Sequence, residues 1–391
     1  MKKICSNKYC TSCGACVEIC PKSAIKMGKN EYGFVFPKID ESICIDCGLC
    51  YKKCHINASL EMKYPQDAYA VWSNNPEDRN TSASGGAASV FYQSVLSMNG
   101  ICYGAKFNED LNAVFTGYED HRIVDFKGSK YVHSDMNSIY NSIYSHLCKD
   151  KKVLFIGLPC QVAAIKSYLN TDYRNLILVD LICHGVPPQQ YLNEHVEHFE
   201  KKCSKQAKLV RFRIDNNFCF ILCNENVQHP FVKKHRSIDT YMLPFSDELS
   251  FYEGCYNCKY ACNKRVSDIT IGDFWGLGSE EPFNHPYTGA ISLVLLNTEK
   301  GKSFFETTKE SLFYERRTVE EAIKGNDQLN RPSKRNDKRD EFLDLYKDNG
   351  FEYASAKIYK KELKRNRRII LFQNIDSGFR QIAKRILRRK G

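Results

Sequence analysis

Nineteen cysteines stand in a chain of 391 residues, and eleven of them fall into three runs with the spacing of metal ligands. Residues 10–21 read Cys10-x2-Cys13-x2-Cys16-x3-Cys20-Pro21, and the pattern recurs 34 residues later as Cys44-x2-Cys47-x2-Cys50-x3-Cys54. A cubane [4Fe–4S] cluster needs four convergent thiolates. Three cysteines two residues apart on a tight loop can wrap one cluster, while the fourth of each run reaches the other. One cluster is therefore expected on Cys10, Cys13, Cys16 and Cys54, and a second on Cys44, Cys47, Cys50 and Cys20. Gly14 and Gly48 hold matching places between second and third ligands, where a small residue lets backbone N–H groups approach the sulfides. Zinc knuckles or free thiols are the plainer alternatives, and eight cysteines in doubled spacing argue against both. Cys5 lies outside the pattern and reads as a spectator thiol, and His55 stands where the first run has Pro21.

A third run, Cys255-x2-Cys258-x3-Cys262, supplies three ligands and must recruit a fourth from elsewhere. Cys183, in Asp180-Leu181-Ile182-Cys183-His184-Gly185-Val186-Pro187, ends an apolar strand before a Gly-Pro loop and is the preferred donor. Cys160, in Gly157-Leu158-Pro159-Cys160-Gln161, ends a comparable strand and is the runner-up. A structural zinc on the same residues stays open on spacing alone. Elsewhere, Ser84-Gly85-Gly86 opening a helix and Ser129-Lys130-Tyr131 offer the N–H, hydroxyl and cationic groups that a pyrophosphate requires. Taken singly, the glycine pair is equally a plain helix cap and Lys130 a solvated lysine. Gly272-Asp273-Phe274-Trp275-Gly276 places a carboxylate and two aromatics between glycines, as a close approach to a cofactor or as a turn anchoring Trp275 in the core. His184 is a proton donor or a structural histidine.

These residues need elements to position them. The first 60 or so residues form a unit with little room for a substrate pocket, which is expected to carry single electrons and to end before Lys63-Tyr64-Pro65. Beyond Asp67 the pattern turns to short β-rich runs (Ala68–Trp72, Val153–Ile156, Leu176–Leu181, Val210–Ile214, Ile291–Leu296) separated by helical stretches such as Gly86–Met98 and Gln161–Leu169. Strands alternating with helices predict an α+β domain of α/β character with a mixed sheet. The expected organisation is residues 1–62, a two-cluster domain; 66–148 and 149–305, two parts of the main domain, the latter with the third site; and 306–391, a basic helical extension.

The leading segment resembles bacterial two-cluster ferredoxins. With Ser84-Gly85-Gly86, Gly128-Ser129-Lys130-Tyr131-Val132, Leu158-Pro159-Cys160-Gln161, Cys183-His184-Gly185-Val186-Pro187 and Ser267–Gly276 in order behind it, the chain resembles the coenzyme F-420 hydrogenase/dehydrogenase β-subunit family over roughly residues 1–305. The resemblance implies an FAD beside a [4Fe–4S] cluster, with Ser84, Gly85, Gly86, Ser129, Lys130, Tyr131, Pro159, Cys160, Gln161, Gly272 and Asp273 as its contacts. It implies an iron–sulfur flavoprotein oxidoreductase in which electrons travel singly through clusters and enter or leave as a hydride at the flavin. No feature identifies deazaflavin binding. The rivals are a non-catalytic electron-transfer subunit and a cluster-based redox sensor.

Composition narrows the rest. The net charge is +11, and thirteen Lys or Arg against Glu362 and Asp376 from Lys357 onward account for it, so the body gives no case for nucleic acid. The longest apolar runs are strand-sized, no secretory signal is evident, and a reducing cytoplasm is the expected location. Phe372, Ile375, Phe379, Ile382 and Ile386 recur at helical spacing among arginines and lysines. Such a helix lies on an anionic membrane's inner face or docks on the body or a partner. The other partner expected is a redox protein or a small electron donor or acceptor.

Overall fold

The computed structural model of the chain describes residues 4–214 and 217–372. At its start, a hairpin of β1 (Ile25–Lys29) and β2 (Val35–Ile39) lies between the two cysteine runs. The main body follows with β3 (Asp67–Ser73), β4 (Ile101–Phe107), β5 (Ala113–Tyr118), β6 (Val153–Gly157) and β7 (Leu176–Leu181). Next come β8 (Leu209–Ile214), β9 (Asn217–Cys223) and β10 (Val232–His235), then β11 (Ile269–Asp273), β12 (Ser292–Leu296) and β13 (Leu312–Arg317).

Eight of these make one mixed sheet in the order β13-β3-β12-β11-β7-β6-β4-β5. The runs VLFIG and LILVDL of β6 and β7 are apolar at nearly every position, the mark of strands covered on both faces, and they take the middle of the sheet. Leu154, Ile156, Ile177 and Val179 face the helices Ala87–Ser97 and Glu299–Glu306, whereas Val153, Phe155, Leu176 and Leu178 face Ile139–Cys148 and Pro159–Leu169. The β4–β6, β6–β7 and β7–β11 pairs are parallel and the rest antiparallel. The carboxyl ends of β6, β7 and β11 therefore share one edge, where open α/β sheets hold their ligands. β6 leads there into Leu158-Pro159-Cys160 and β7 into Ile182-Cys183-His184, and β11 ends on Gly272-Asp273.

The second sheet, β10-β9-β8, packs with the helix Gln189–Cys203 and the late helices Arg339–Asn349 and Phe351–Ile358. Within this core His195 has no exposed side-chain surface and sits between Asp239, at 3.1 Å, and Glu352.

The strand and helix runs expected from sequence match these elements within a few residues. β13 pairs along β3, so the chain beyond residue 305 completes the sheet's edge before turning helical. The stretch Asn330–Lys338 is pinned to the body. Ser333 is buried and donates to the His184 carbonyl, Lys334 N donates to Glu248 at 2.6 Å, and Asn336 donates to the Asp247 carbonyl at 2.9 Å. Residues 360–372 are helical; Ile375, Phe379, Ile382 and Ile386 of the expected apolar stripe lie outside the described residues. Among the described residues no helix is long and apolar enough to cross a membrane.

Candidate electron-transfer and cofactor site

Gly14 and Gly48 adopt left-handed φ of 76° and 72° and open matching short helices, Ala15–Glu18 and Leu49–Lys52. A Cβ at Gly48 would meet nothing within 4 Å, so the requirement there is conformational and not steric. Each turn folds its cysteine run around a centre. Cys10, Cys13, Cys16 and Cys54 line one small cavity, so the last cysteine of the second run joins the first three of the first. Reciprocally, Cys50 lies within electrostatic reach of Cys20 and Cys47. Cys47 is exposed while Cys10, Cys16 and Cys54 are buried, which puts the second set outermost. Burial pushes the Cys13 thiol up to about 12, and nearby thiols add to it.

A second cavity is lined by Cys160, Cys183, Cys255 and Cys258. Both contenders for the fourth position are present, because β6 and β7 are neighbours and deliver their following residues to the same place. Cys262, the last cysteine of that run, is not on this wall. Its Sγ lies 3.3 Å from the Lys264 carbonyl and 3.6 Å from that of Lys259, within electrostatic reach of Cys258. Arg265 fixes this arrangement. Its buried guanidinium pairs with Asp180 of β7 at 2.9 Å and donates to the carbonyls of Tyr260 at 3.0 Å and Cys262 at 3.3 Å. Burial raises Cys183 to about 12, and burial likewise drives Cys160 and Cys255 well up. Such thiols ionise only when a bound cation supplies the compensating charge.

The two cavities adjoin. Thr11 lines both. A Cβ on Gly254 would come within 2.8 Å of the Cys10 carbonyl oxygen, so the loop bearing Cys255 meets the loop bearing Cys10 backbone to backbone. His55, fully enclosed, bridges Thr11 Oγ1 at 2.9 Å and the Tyr260 hydroxyl at 2.7 Å. The sequence signal at His55 was the lost proline; its partner Tyr260, 205 positions away, had none.

A third cavity, of about 510 Å³, opens at the sheet edge and shares Leu158, Gln161, Cys183, His184, Gly185 and Val186 with the second. Ser84, Gly86, Ser129, Lys130, Tyr131, Gln161, Gly272 and Asp273 also lie on its wall. Pro159 and Cys160 instead line the thiol cavity. Gly85 supports the site from behind, since a Cβ there would stand 2.4 Å from the Val71 carbonyl. Gly86, with φ 95°, is the N-cap of Ala87–Ser97 and presents that helix's free N–H groups. The Lys130 ammonium donates to the carbonyls of Asp125, Phe126 and Lys127 at 3.0–3.1 Å; it braces the loop, and burial lowers it to about 7. Trp275 is 46 % exposed at the cavity wall and not anchored in the core. His184 opens onto the cavity, and the surrounding protein lowers its imidazole from the usual value.

The wall suits a large ligand with polar and flat parts. Among the described residues Ser84 Oγ, Arg213 Nε and Asp273 Oδ1 are buried without a hydrogen-bond partner. Arg213 and Asp273 pair through their other atoms at 2.7 Å. Buried polar atoms of this kind are costly unless something satisfies them. Phe126, Tyr131, Phe218 and Phe245 supply flat apolar surface. A helix N-terminus, a serine hydroxyl and an arginine along one wall fit a dinucleotide such as FAD.

A curated relative, the coenzyme F420-dependent sulfite reductase of Methanocaldococcus jannaschii, is 22% identical over 318 residues, covering 77% of this chain and 46% of its own length. The chain thus spans about half of that relative. The ferredoxin 7Fe of Hydrogenibacillus schlegelii is 40% identical over 48 residues, 12% of this chain and 55% of its own. A solved F420-reducing [NiFe] hydrogenase complex from Methanosarcina barkeri aligns at 16% identity with a TM-score of 0.46, over 79% of this chain and 92% of that one. Residues 9–58 match the 4Fe-4S dicluster domain and residues 150–322 the C terminus of the coenzyme F420 hydrogenase/dehydrogenase beta subunit. The chain therefore carries a match to a two-cluster ferredoxin domain ahead of a match to the C terminus of the coenzyme F420 hydrogenase/dehydrogenase beta subunit.

Proposed function

We propose that the chain is an iron–sulfur flavoprotein oxidoreductase. It would hold a third [4Fe–4S] cluster on Cys160, Cys183, Cys255 and Cys258 and an FAD in the 510 Å³ cavity. The observation that carries this reading is continuity: Thr11 belongs to the walls of the first and second cavities, and Cys183 to those of the second and third. Surface, buried centre, thiol site and ligand cavity follow one another without a gap.

FAD bound there would couple one-electron to two-electron chemistry. The N-terminus of Ala87–Ser97 and Ser84 would take its pyrophosphate, and Arg213 and Asp273 its polar edge. His184, whose imidazole burial lowers from its usual value, is placed to accept or return a proton at its ring. At the other end, exposed Cys47 with Ile43 and Ile45 beside it offers a one-electron partner protein direct access.

Anaerobic purification, cofactor extraction and iron analysis test the reading. It expects flavin and about twelve iron atoms per chain, four for each cluster. Cys160→Ala and Cys183→Ala should each lose four, and Cys262→Ala none. Eight irons with one zinc, or no flavin, would overturn it.

A further inference from the structure

Cysteines of two different centres are followed in sequence by residues that bind one another. His55 comes after Cys54 of the first centre, and Lys259 and Tyr260 come after Cys258 of the third site. The Lys259 ammonium donates to the carbonyls of His55 at 2.5 Å and of Ile56 and Ala58 at 3.3 Å. Buried Tyr260 shares a hydrogen bond of 2.7 Å with His55 Nδ1, and its ring belongs to the apolar cluster on which Cys13, Cys160 and Cys258 pack. The other ring nitrogen of His55 meets Thr11 Oγ1 at 2.9 Å, in the loop between Cys10 and Cys13. One aromatic ring thus stands between a thiol of the first centre and two of the third, and an ammonium held by three carbonyls closes the gap beside it. Hydrogen bonds from a charged donor are the strong ones, and bonds of this kind orient the ligands they flank. They add to the Gly254–Cys10 contact a second one, on the Cys54 side of the same centre.

Resting on the cluster assigned to the third site above, we propose that Lys259, Tyr260 and His55 form a latch that fixes the separation of the first and third clusters and so sets the rate of the electron step between them. One electron leaves the first cluster and one enters the third, with no bond made or broken, and the rate of such a step falls steeply with the distance crossed. The three side chains ligate no iron. They are positioning residues, and they act through the loops that carry Cys54 and Cys258.

The experiment is EPR of the full-length, anaerobically prepared holoprotein reduced with dithionite, in which neighbouring reduced clusters split one another's signals by a magnetic interaction that weakens steeply with separation. The part of the splitting that Cys183→Ala removes reports the third cluster. The double variant Lys259→Met/Tyr260→Phe should lose that part while keeping the wild-type iron content, and Lys259→Arg, which keeps a cationic donor, should retain it. Stopped-flow mixing with a reduced bacterial ferredoxin, too large to enter the flavin cavity, should show the flavin of the double variant bleaching about tenfold more slowly, since a small misplacement away from the chemistry is costly in rate. An unchanged splitting, an unchanged rate, or loss of iron from the double variant would each overturn the latch. A wild-type chain with about eight irons instead of twelve would strike the third cluster itself, a failure told apart by the iron count alone.

Discussion

Replacing Arg265 with methionine measures what holds the third cysteine loop to the sheet. The guanidinium is buried against Asp180, whose side chain is wholly enclosed in the middle strand β7. It also donates to the Thr270 hydroxyl at 3.1 Å and to the Tyr260 and Cys262 carbonyls. Methionine keeps the apolar stem and strands the carboxylate. Breaking a buried pair from one side costs about 3–5 kcal/mol, and each carbonyl left without a donor adds about 1–3 kcal/mol. These contributions overlap, so about 4 kcal/mol is a moderate expectation, a large share of the roughly 5–15 kcal/mol that holds a protein folded. Asp180→Asn in the same background removes the stranded charge and should recover about 2 kcal/mol. Anaerobic urea unfolding followed by far-UV circular dichroism reads both. A single variant that unfolds at the wild-type midpoint, or a double variant no better than the single, would refute the reasoning.

Three further outcomes are expected. Burial alone would lower His195, but Asp239 and Glu352 reverse this and raise it to about 9. Its contribution, on the order of 3 kcal/mol against an unfolded value near 6.5, is full below pH 6.5 and disappears as pH rises through 9. Unfolding midpoints across pH 6–10 should fall accordingly, and His195→Gln should flatten that part of the profile. Gly85→Ala forces its methyl against the Val71 carbonyl, at a cost of about 1–3 kcal/mol; an unchanged melting temperature would contradict the close packing. Removing residues 365–391 should abolish co-sedimentation with anionic vesicles, and failure of the intact chain to sediment would discard membrane binding through the tail.

The sequence made local features legible and left long-range ones dark. Ligand runs such as Cys10–Cys20 are written in consecutive residues because one loop wraps one cluster, and a glycine at the turn marks it. β6 and β7 announced themselves because strands buried on both faces need unbroken apolar runs. The third site was harder. Cys160 and Cys183 looked like rivals, since spacing gives no hint that β6 and β7 lie side by side. Cys262 had the right spacing, but the placing of its loop depends on Arg265 reaching Asp180, 85 positions earlier. β13, LFYERR, carries three charges as a half-exposed edge strand, so its pattern did not stand out. The Asp239–His195–Glu352 contact joins three distant segments, none of which signals it alone.

Gly254 sets a condition on any attempt to rebuild the leading cluster segment. Because its missing side chain lets two ligand loops touch through their main chains, the leading sixty residues pack directly against the body at that seam. Grafting an unrelated small carrier onto this body would therefore require matching the seam atom for atom at that glycine. A longer linker would lengthen the gap between centres and slow every transfer across it.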